Sequence, residues 1–378
     1  MRIILLFLIT SFSLNAQDID YTRSVIKFLT SKKCLGRGYV KNGQKYAADF
    51  IVKELEKSKA KPLFNSTYLQ TYSHQVNTFP KKVDVKVDGK KLIPGRDFII
   101  DPNCETIKGK WDLEKKDSIN YICKDKSKAC SVKLVKKLTH SVSSFHMKPA
   151  KIELLRSRFP NDIKNIELNI ESVYVEDFKA NNIGAFIEGQ NNDSIIVFTA
   201  HYDHLGAMGK NCYFPGANDN ASGTSMVLNF VKHYAATKPK YKTVFVLFSS
   251  EEIGLLGSKH FSVNSPFDLK KIKFLINLDL LGTGDDGMMV VNGAIFTKQF
   301  ELLQNINKEK QLVKEIKKRG KAQNSDHYWF TELGVPSFFI YTLGGVSFYH
   351  DIDDVEKTLP LTDYKDVFTL LVEFAQKL

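Results

Sequence analysis

Proline and glycine are sparse in this chain, 11 and 22 of 378 residues, while apolar residues make up an ordinary 43%. Disordered and collagen-like architectures are therefore excluded. The 27 Phe and 15 Tyr are scattered through short segments rather than ranked in heptads, which excludes a helical coiled coil. Beyond the first sixteen residues no apolar run approaches the length of about 20 residues that crosses a bilayer. Cysteine is scarce as well. Cys34, Cys104, Cys123, Cys130 and Cys212 are spaced unlike a metal finger, and their odd number leaves at least one without a partner in the chain. Cys123 and Cys130 are the best-placed pair for a disulfide; burial as free thiols is the alternative.

What is present begins with MRIILLFLITSFSLNA, an arginine followed by an apolar stretch and a small-residue end at Ala16. This pattern reads as a secretory signal peptide, placing the mature chain in the periplasm or outside the cell. A membrane anchor is the competing reading, but Thr10, Ser11, Ser13 and Asn15 interrupt the run too early.

The formal net charge is +12, and most of it lies in one stretch: residues 81–170 hold 21 Lys and Arg against 12 Asp and Glu. No nucleic-acid motif accompanies that basicity. A basic surface can meet an anionic polymer or cell surface, while a solvated lysine-rich face that maintains solubility explains the same composition. In this stretch Val83, Val85 and Val87 alternate with charged residues up to Asp88-Gly89, a hairpin signal.

Helical spacing marks two stretches between Tyr21 and Leu55, separated by Gly36-Arg37-Gly38 and Asn42-Gly43. From about residue 183, apolar runs at Ile195–Thr199, Thr243–Phe248, Phe274–Leu278 and Val335–Tyr341 alternate with helical stretches at Ser222–Ala236, Phe296–Lys310, Tyr328–Leu333 and Thr362–Leu378. The fold expected is α/β, a three-layer sandwich with a mostly parallel central sheet flanked by helices, plus an inserted β-rich subdomain. Its divisions fall at 1–16 for the signal, 17–80 for the first part of the core, 81–170 for the insert and 171–378 for the rest of the core.

In open α/β sheets, ligands bind beyond the carboxyl ends of the strands. There the runs end in His201-Tyr202-Asp203-His204, Glu251-Glu252, Asp279 and, through a Gly344-Gly345 loop, Tyr349-His350-Asp351; Asp219 precedes the helix at Ser222. Singly, each has an ordinary explanation: a surface histidine, a helix cap at Asp219, an exposed helix start at the Glu pair. Together they converge on one edge of one sheet, which chance placement explains poorly. Imidazole and carboxylate without thiolate suit zinc, with cobalt or manganese as substitutes, and one histidine per ion with shared carboxylates makes a two-metal site. Such a site needs a base beside a ligand carboxylate, and Glu251-Glu252 supplies one of each.

These motifs, with Gly-Ala-Asn-Asp219-Asn-Ala-Ser-Gly, Leu35-Gly-Arg-Gly and Ser325-Asp-His-Tyr, resemble those of the co-catalytic di-zinc aminopeptidases of clan MH, the aminopeptidase Y and secreted bacterial leucyl aminopeptidase type. The resemblance covers about residues 22–80 and 170–378. It implies two Zn2+ ions per chain bridged by Asp219, with His201 and Asp279 completing one shell and Glu252 and His350 the other. It implies that Glu251 deprotonates a metal-bridged water, that Asp203 accepts the other ring N–H of His201, and that the Asp219–Asn220 peptide bond is cis. Tyr349 resembles a tyrosine that steadies the oxyanion in some members. His204, Asp326 and His327 are read as polar residues behind the ligands or at the surface, and Asp354 as a supporting or turn-capping group.

The activity implied is removal of N-terminal residues from peptides with a free amine. Glutaminyl cyclisation, carboxypeptidase or dipeptidase action, and a non-enzymatic binding role for the basic insert are the alternatives. The insert stands where many relatives carry a lid or a protease-associated domain.

Overall fold

The computed structural model describes residues 18–125, 129–147 and 149–378; the expected signal at 1–16 lies outside them. Seven helices occur among the described residues: α1 (Ile19–Leu29), α2 (Gly43–Lys57), α3 (Gly223–Ala236), α4 (Leu256–Val263), α5 (Thr297–Lys310), α6 (His327–Glu332) and α7 (Tyr364–Lys377). None is long and apolar enough to cross a membrane.

The apolar runs seen in the sequence become adjacent strands, ordered Tyr241–Phe248, Asn191–His201, Ile272–Leu278 and Ser337–Thr342, each parallel to the next. They are apolar throughout because both faces are covered. Ile196, Phe198 and Ala200 face the cluster that includes Met226 and Phe230 of α3 and Phe374 of α7. Ile195 and Val197 point the other way, toward Phe261 of α4 and Phe330 of α6. The N-terminal helices join the first cluster through Val25, Ile26, Ala47 and Ile51.

Parallel pairing dominates only the centre, so the expected mostly parallel sheet is mixed. On one side the long strand Val173–Ile187 runs antiparallel to both Tyr241–Phe248 and Leu69–Thr78. On the other, Met288–Val291 is antiparallel to Ser337–Thr342. Strand direction follows from how each strand is reached, and apolar content does not encode it.

The segment between residues 81 and 170 forms a second sheet of eight strands. Val83–Val87 turns through Asp88 (φ 49°) and Gly89 (φ 80°) into Lys90–Lys91, a hairpin with two left-handed residues at its tip. The core of this sheet, including Val85, Ile100, Val132 and Ile152, is shared with Leu205, Met208, Cys212 and Phe214, which follow His204 in the chain. A disulfide joins Cys123 and Cys130, and Cys34, Cys104 and Cys212 are buried free thiols.

Candidate metal centre

Each candidate ligand leaves the sheet at the same edge. His201 is the last residue of its strand, Glu251 and Glu252 follow the strand ending at Phe248, and Asp279 follows Leu278 directly. Asp219 arrives by a wide turn over Ala217–Ser222 that opens α3. This turn depends on Gly216, which has φ 64°, and a Cβ there would stand 2.2 Å from the carbonyl of Asp219 and 2.4 Å from the His204 ring. The Asp219–Asn220 bond is cis, as the resemblance implies.

Asp219 presents one carboxylate oxygen to each of two histidines. Oδ1 lies 3.4 Å from Nε2 of His201 and Oδ2 lies 3.3 Å from Nε2 of His350. His201 Nε2 is also 3.3 Å from Oδ2 of Asp279, and His350 Nε2 is 3.1 Å from Oε2 of Glu252. All five side chains are buried or nearly so. Ligands about 2.0–2.1 Å from a tetrahedral zinc stand about 3.3–3.4 Å apart along the tetrahedron edges, so the spacings suit donors around an ion. Among the described residues, every ion pair made by Asp219, Glu252 and Asp279 is with a histidine. A buried carboxylate cluster of this kind needs a cation. The donor set therefore suits metal: His201, Asp219 and Asp279 stand close enough to share an ion, as do His204, Asp219 and Glu252, and His350 faces Asp219 and Glu252 from the other side.

The electrostatics agree. Burial works against charge on both imidazoles, yet Asp279 and Glu251 hold His201 well above its ordinary pKa, and Glu252 and Asp219 lift His350 to about 11. The carboxylates draw positive charge into the cluster, where protons and metal compete for the same atoms. The adjacent glutamates are driven apart. Burial raises Glu251 well above the carboxylate range, with Glu252 and Asp326 adding to it against His201. For Glu252, His350 and His204 overcome burial and hold it well below. The two neighbouring carboxyls are thus pushed in opposite directions by their surroundings.

The surrounding residues support this centre in ways the sequence showed only in part. Asp203 stands beside His201, but the hydrogen-bond contact to Nδ1 comes from its backbone carbonyl at 3.2 Å, while its carboxylate is 3.7 Å away. That carboxylate instead accepts from the backbone N–H of Glu251 and Glu252 and from the Tyr39 hydroxyl. His204 is fully buried, with Nδ1 2.6 Å from Oε1 of Glu252. Asp354 accepts from the backbone N–H of Asn218 and Asp219. Asp326 and His327 are fully buried rather than superficial. Tyr349 is half exposed and stacks on His350 at 3.9 Å.

Arg37, seen in the sequence only as part of Leu35-Gly-Arg-Gly, is completely buried. It donates to the carbonyls of Leu29, Tyr202, Pro215, Gly216 and Asp219, joining the two loops that carry His201 and Asp219.

The ligands line a cavity of about 200 Å³ whose other walls include Leu280, Phe339, Tyr341 and Tyr349. A larger cavity, about 340 Å³, opens on the second sheet beside Ile122, Lys133 and Glu153 and contains none of them.

A parallel-centred α/β sheet with paired histidine–carboxylate sites at its carboxyl edge defines a metallohydrolase architecture. Residues 182–375 match peptidase family M28, and the chain belongs to that family. It is 39% identical over 90 residues to aminopeptidase YwaD of Bacillus subtilis, a match covering 24% of this chain and 18% of that protein. To aminopeptidase Y of Saccharomyces cerevisiae it is 33% identical over 129 residues, 32% of this chain and 23% of the relative. The chain thus aligns over about a fifth of the length of these curated relatives. Its fold is similar to that of a zinc aminopeptidase from Bacillus subtilis, with TM-score 0.69 and 16% identity, covering 96% of this chain and 95% of the other.

Proposed function

We propose that this chain is an exported zinc-dependent aminopeptidase that releases N-terminal residues from peptides, using two ions held by His201, Asp219, Glu252, Asp279 and His350. The observation that carries the reading is the division of Asp219, one oxygen toward His201 and the other toward His350. Zinc bound there supplies Lewis acidity and a water of lowered pKa.

The chain's own residues supply the rest. Glu251 lines the same cavity as the ligands and has the raised proton affinity of a base. It takes the proton of the attacking water and returns it to the departing amine. Its backbone N–H donates to the Asp203 carboxylate at 3.1 Å, which ties down the main chain that carries it. Tyr349 lines the same cavity, and its proposed role is to steady the oxygen on which charge develops. The walls formed by Leu280, Phe339 and Tyr341 offer apolar surface to a substrate side chain.

Zinc stoichiometry of the purified protein, with release of p-nitroaniline from free and N-acetylated aminoacyl substrates, tests the reading. Two ions per chain and turnover only with a free amine are expected. One ion or none without hydrolysis returns the cyclase and binding-protein readings, and turnover of the acetylated substrates removes amine recognition.

A further inference from the structure

The ring of His350 is held from outside the main sheet. Its Nδ1 lies 2.8 Å from the backbone carbonyl of His140, and the His140 N–H donates back to the His350 carbonyl at 3.3 Å. Lys137 adds a third contact, donating to the carbonyl of Ser347 at 2.8 Å. His140 lies 210 positions from His350 in sequence, in the segment between residues 81 and 170 that builds the second sheet.

A carbonyl oxygen only accepts. Its contact therefore fixes a proton on Nδ1 and leaves Nε2, which faces Glu252 and Asp219, as the nitrogen available to an ion. His350 itself sits at φ 55°, a left-handed conformation unusual for a residue with a Cβ, so its loop needs external support. The segment that provides it is firmly seated. The His140 ring is buried and stacks on Phe214 at 4.4 Å and 13°, and Leu138 belongs to the second sheet's core with Phe214. His201 has the equivalent support from within its own loop, the carbonyl of Asp203 two residues away.

We infer that the second sheet completes the metal centre: His140 is a positioning residue whose carbonyl sets the tautomer and orientation of His350, making the ion at Glu252 and His350 dependent on the second sheet. The His201 ring takes its equivalent contact from its own loop instead. This rests on the proposed ligand role of His350 and assigns the basic segment a part in assembling the site.

Zinc affinities of the full-length protein, measured by chelator competition without substrate, test it. His140→Ala keeps the ligands but removes the stack that seats the carbonyl. One of the two affinities should fall by about 10–100-fold, the usual cost of losing support behind a ligand. The other should stay at the wild-type value, and His140→Phe, which retains an aromatic ring against Phe214, should restore the one that fell. Thr139→Gly with Ser141→Gly loosens the carbonyl from exposed positions while sparing the buried ring, and should weaken the same ion by about tenfold through backbone freedom alone.

Unchanged affinities in both the His140→Ala and the paired glycine variants overturn the inference, as does equal weakening of both ions. His350→Ala separates the two levels. Loss of one ion in that variant keeps the ligand reading whatever His140 does, whereas retention of both ions removes that reading and the inference with it.

Discussion

Arg37 donates through Nη2 to the backbone carbonyl of Asp219 at 3.1 Å, while Asp354 accepts from the Asp219 N–H at 3.1 Å. The residue that faces both histidines is therefore gripped along its backbone from two sides. Its carboxylate meanwhile faces His201 and His350.

Replacing Arg37 should loosen this grip. Arg37→Lys retains the charge but offers a point ammonium in place of a planar fork of five donors, leaving several buried carbonyls unpaired. Hydrogen bonds from a charged donor contribute about 1.5–3 kcal/mol each, so a loss of at least 3 kcal/mol is expected in denaturant unfolding of the metal-free protein. Zinc affinity should fall with it. Wild-type unfolding and wild-type affinity in the lysine variant would show that the guanidinium geometry is dispensable.

Glu251 and Glu252 are neighbours in sequence with opposite assignments, and substitution should separate them. Glu251→Gln preserves shape and should keep zinc while kcat falls by about 10²–10⁴, the range for a lost general base. Glu252→Gln should lower zinc content as well as rate. Parallel metal analysis and steady-state kinetics distinguish the two, and near-normal turnover in Glu251→Gln would place the base elsewhere.

Most of the proposed ligands stand out in the sequence because they follow a short apolar run, and in a parallel sheet the end of such a run is where side chains meet ligands. His201, Glu251, Glu252 and Asp279 are marked in this way, and Asp219 by the glycine-flanked turn before a helix. What stayed hidden acts through the backbone. Arg37 satisfies its donors on five carbonyls and His140 contributes a carbonyl, and no residue type advertises that use. The sequence points to Asp203 as the partner of the His201 ring N–H, but which of its oxygens reaches the ring is a matter of loop geometry, and here it is the backbone carbonyl. The antiparallel flanks of the main sheet were equally invisible, because a buried strand has the same composition in either direction.

The Cys123–Cys130 disulfide closes a short loop, with the cysteines seven residues apart. Chain-entropy reasoning gives a loop of this size about 2–3 kcal/mol. The double replacement Cys123→Ser and Cys130→Ser should lower the stability of the second sheet by that amount in urea unfolding. Added reductant should move the wild type toward the variant and leave the variant unmoved. Equal stability of the two under oxidising conditions would mean that the bridge constrains nothing.

His327, at the start of α6, is buried, and its burial outweighs nearby backbone carbonyls of Ser325 and Ala322 to push its pKa down to about 4. The unfolded chain takes up this proton near 6.5. Between those values the unfolded state binds more protons than the folded one, so the contribution of His327 is complete above about 6.5 and is lost as pH falls toward about 4. The shift corresponds to roughly 3 kcal/mol at most. Unfolding free energies of the metal-free protein from pH 7 to pH 4 should therefore fall more steeply for wild type than for His327→Phe. The difference between the two curves isolates this group from the ligand histidines, which both proteins share. Parallel curves would mean that His327 takes up its proton at the same pH in the folded and unfolded chains.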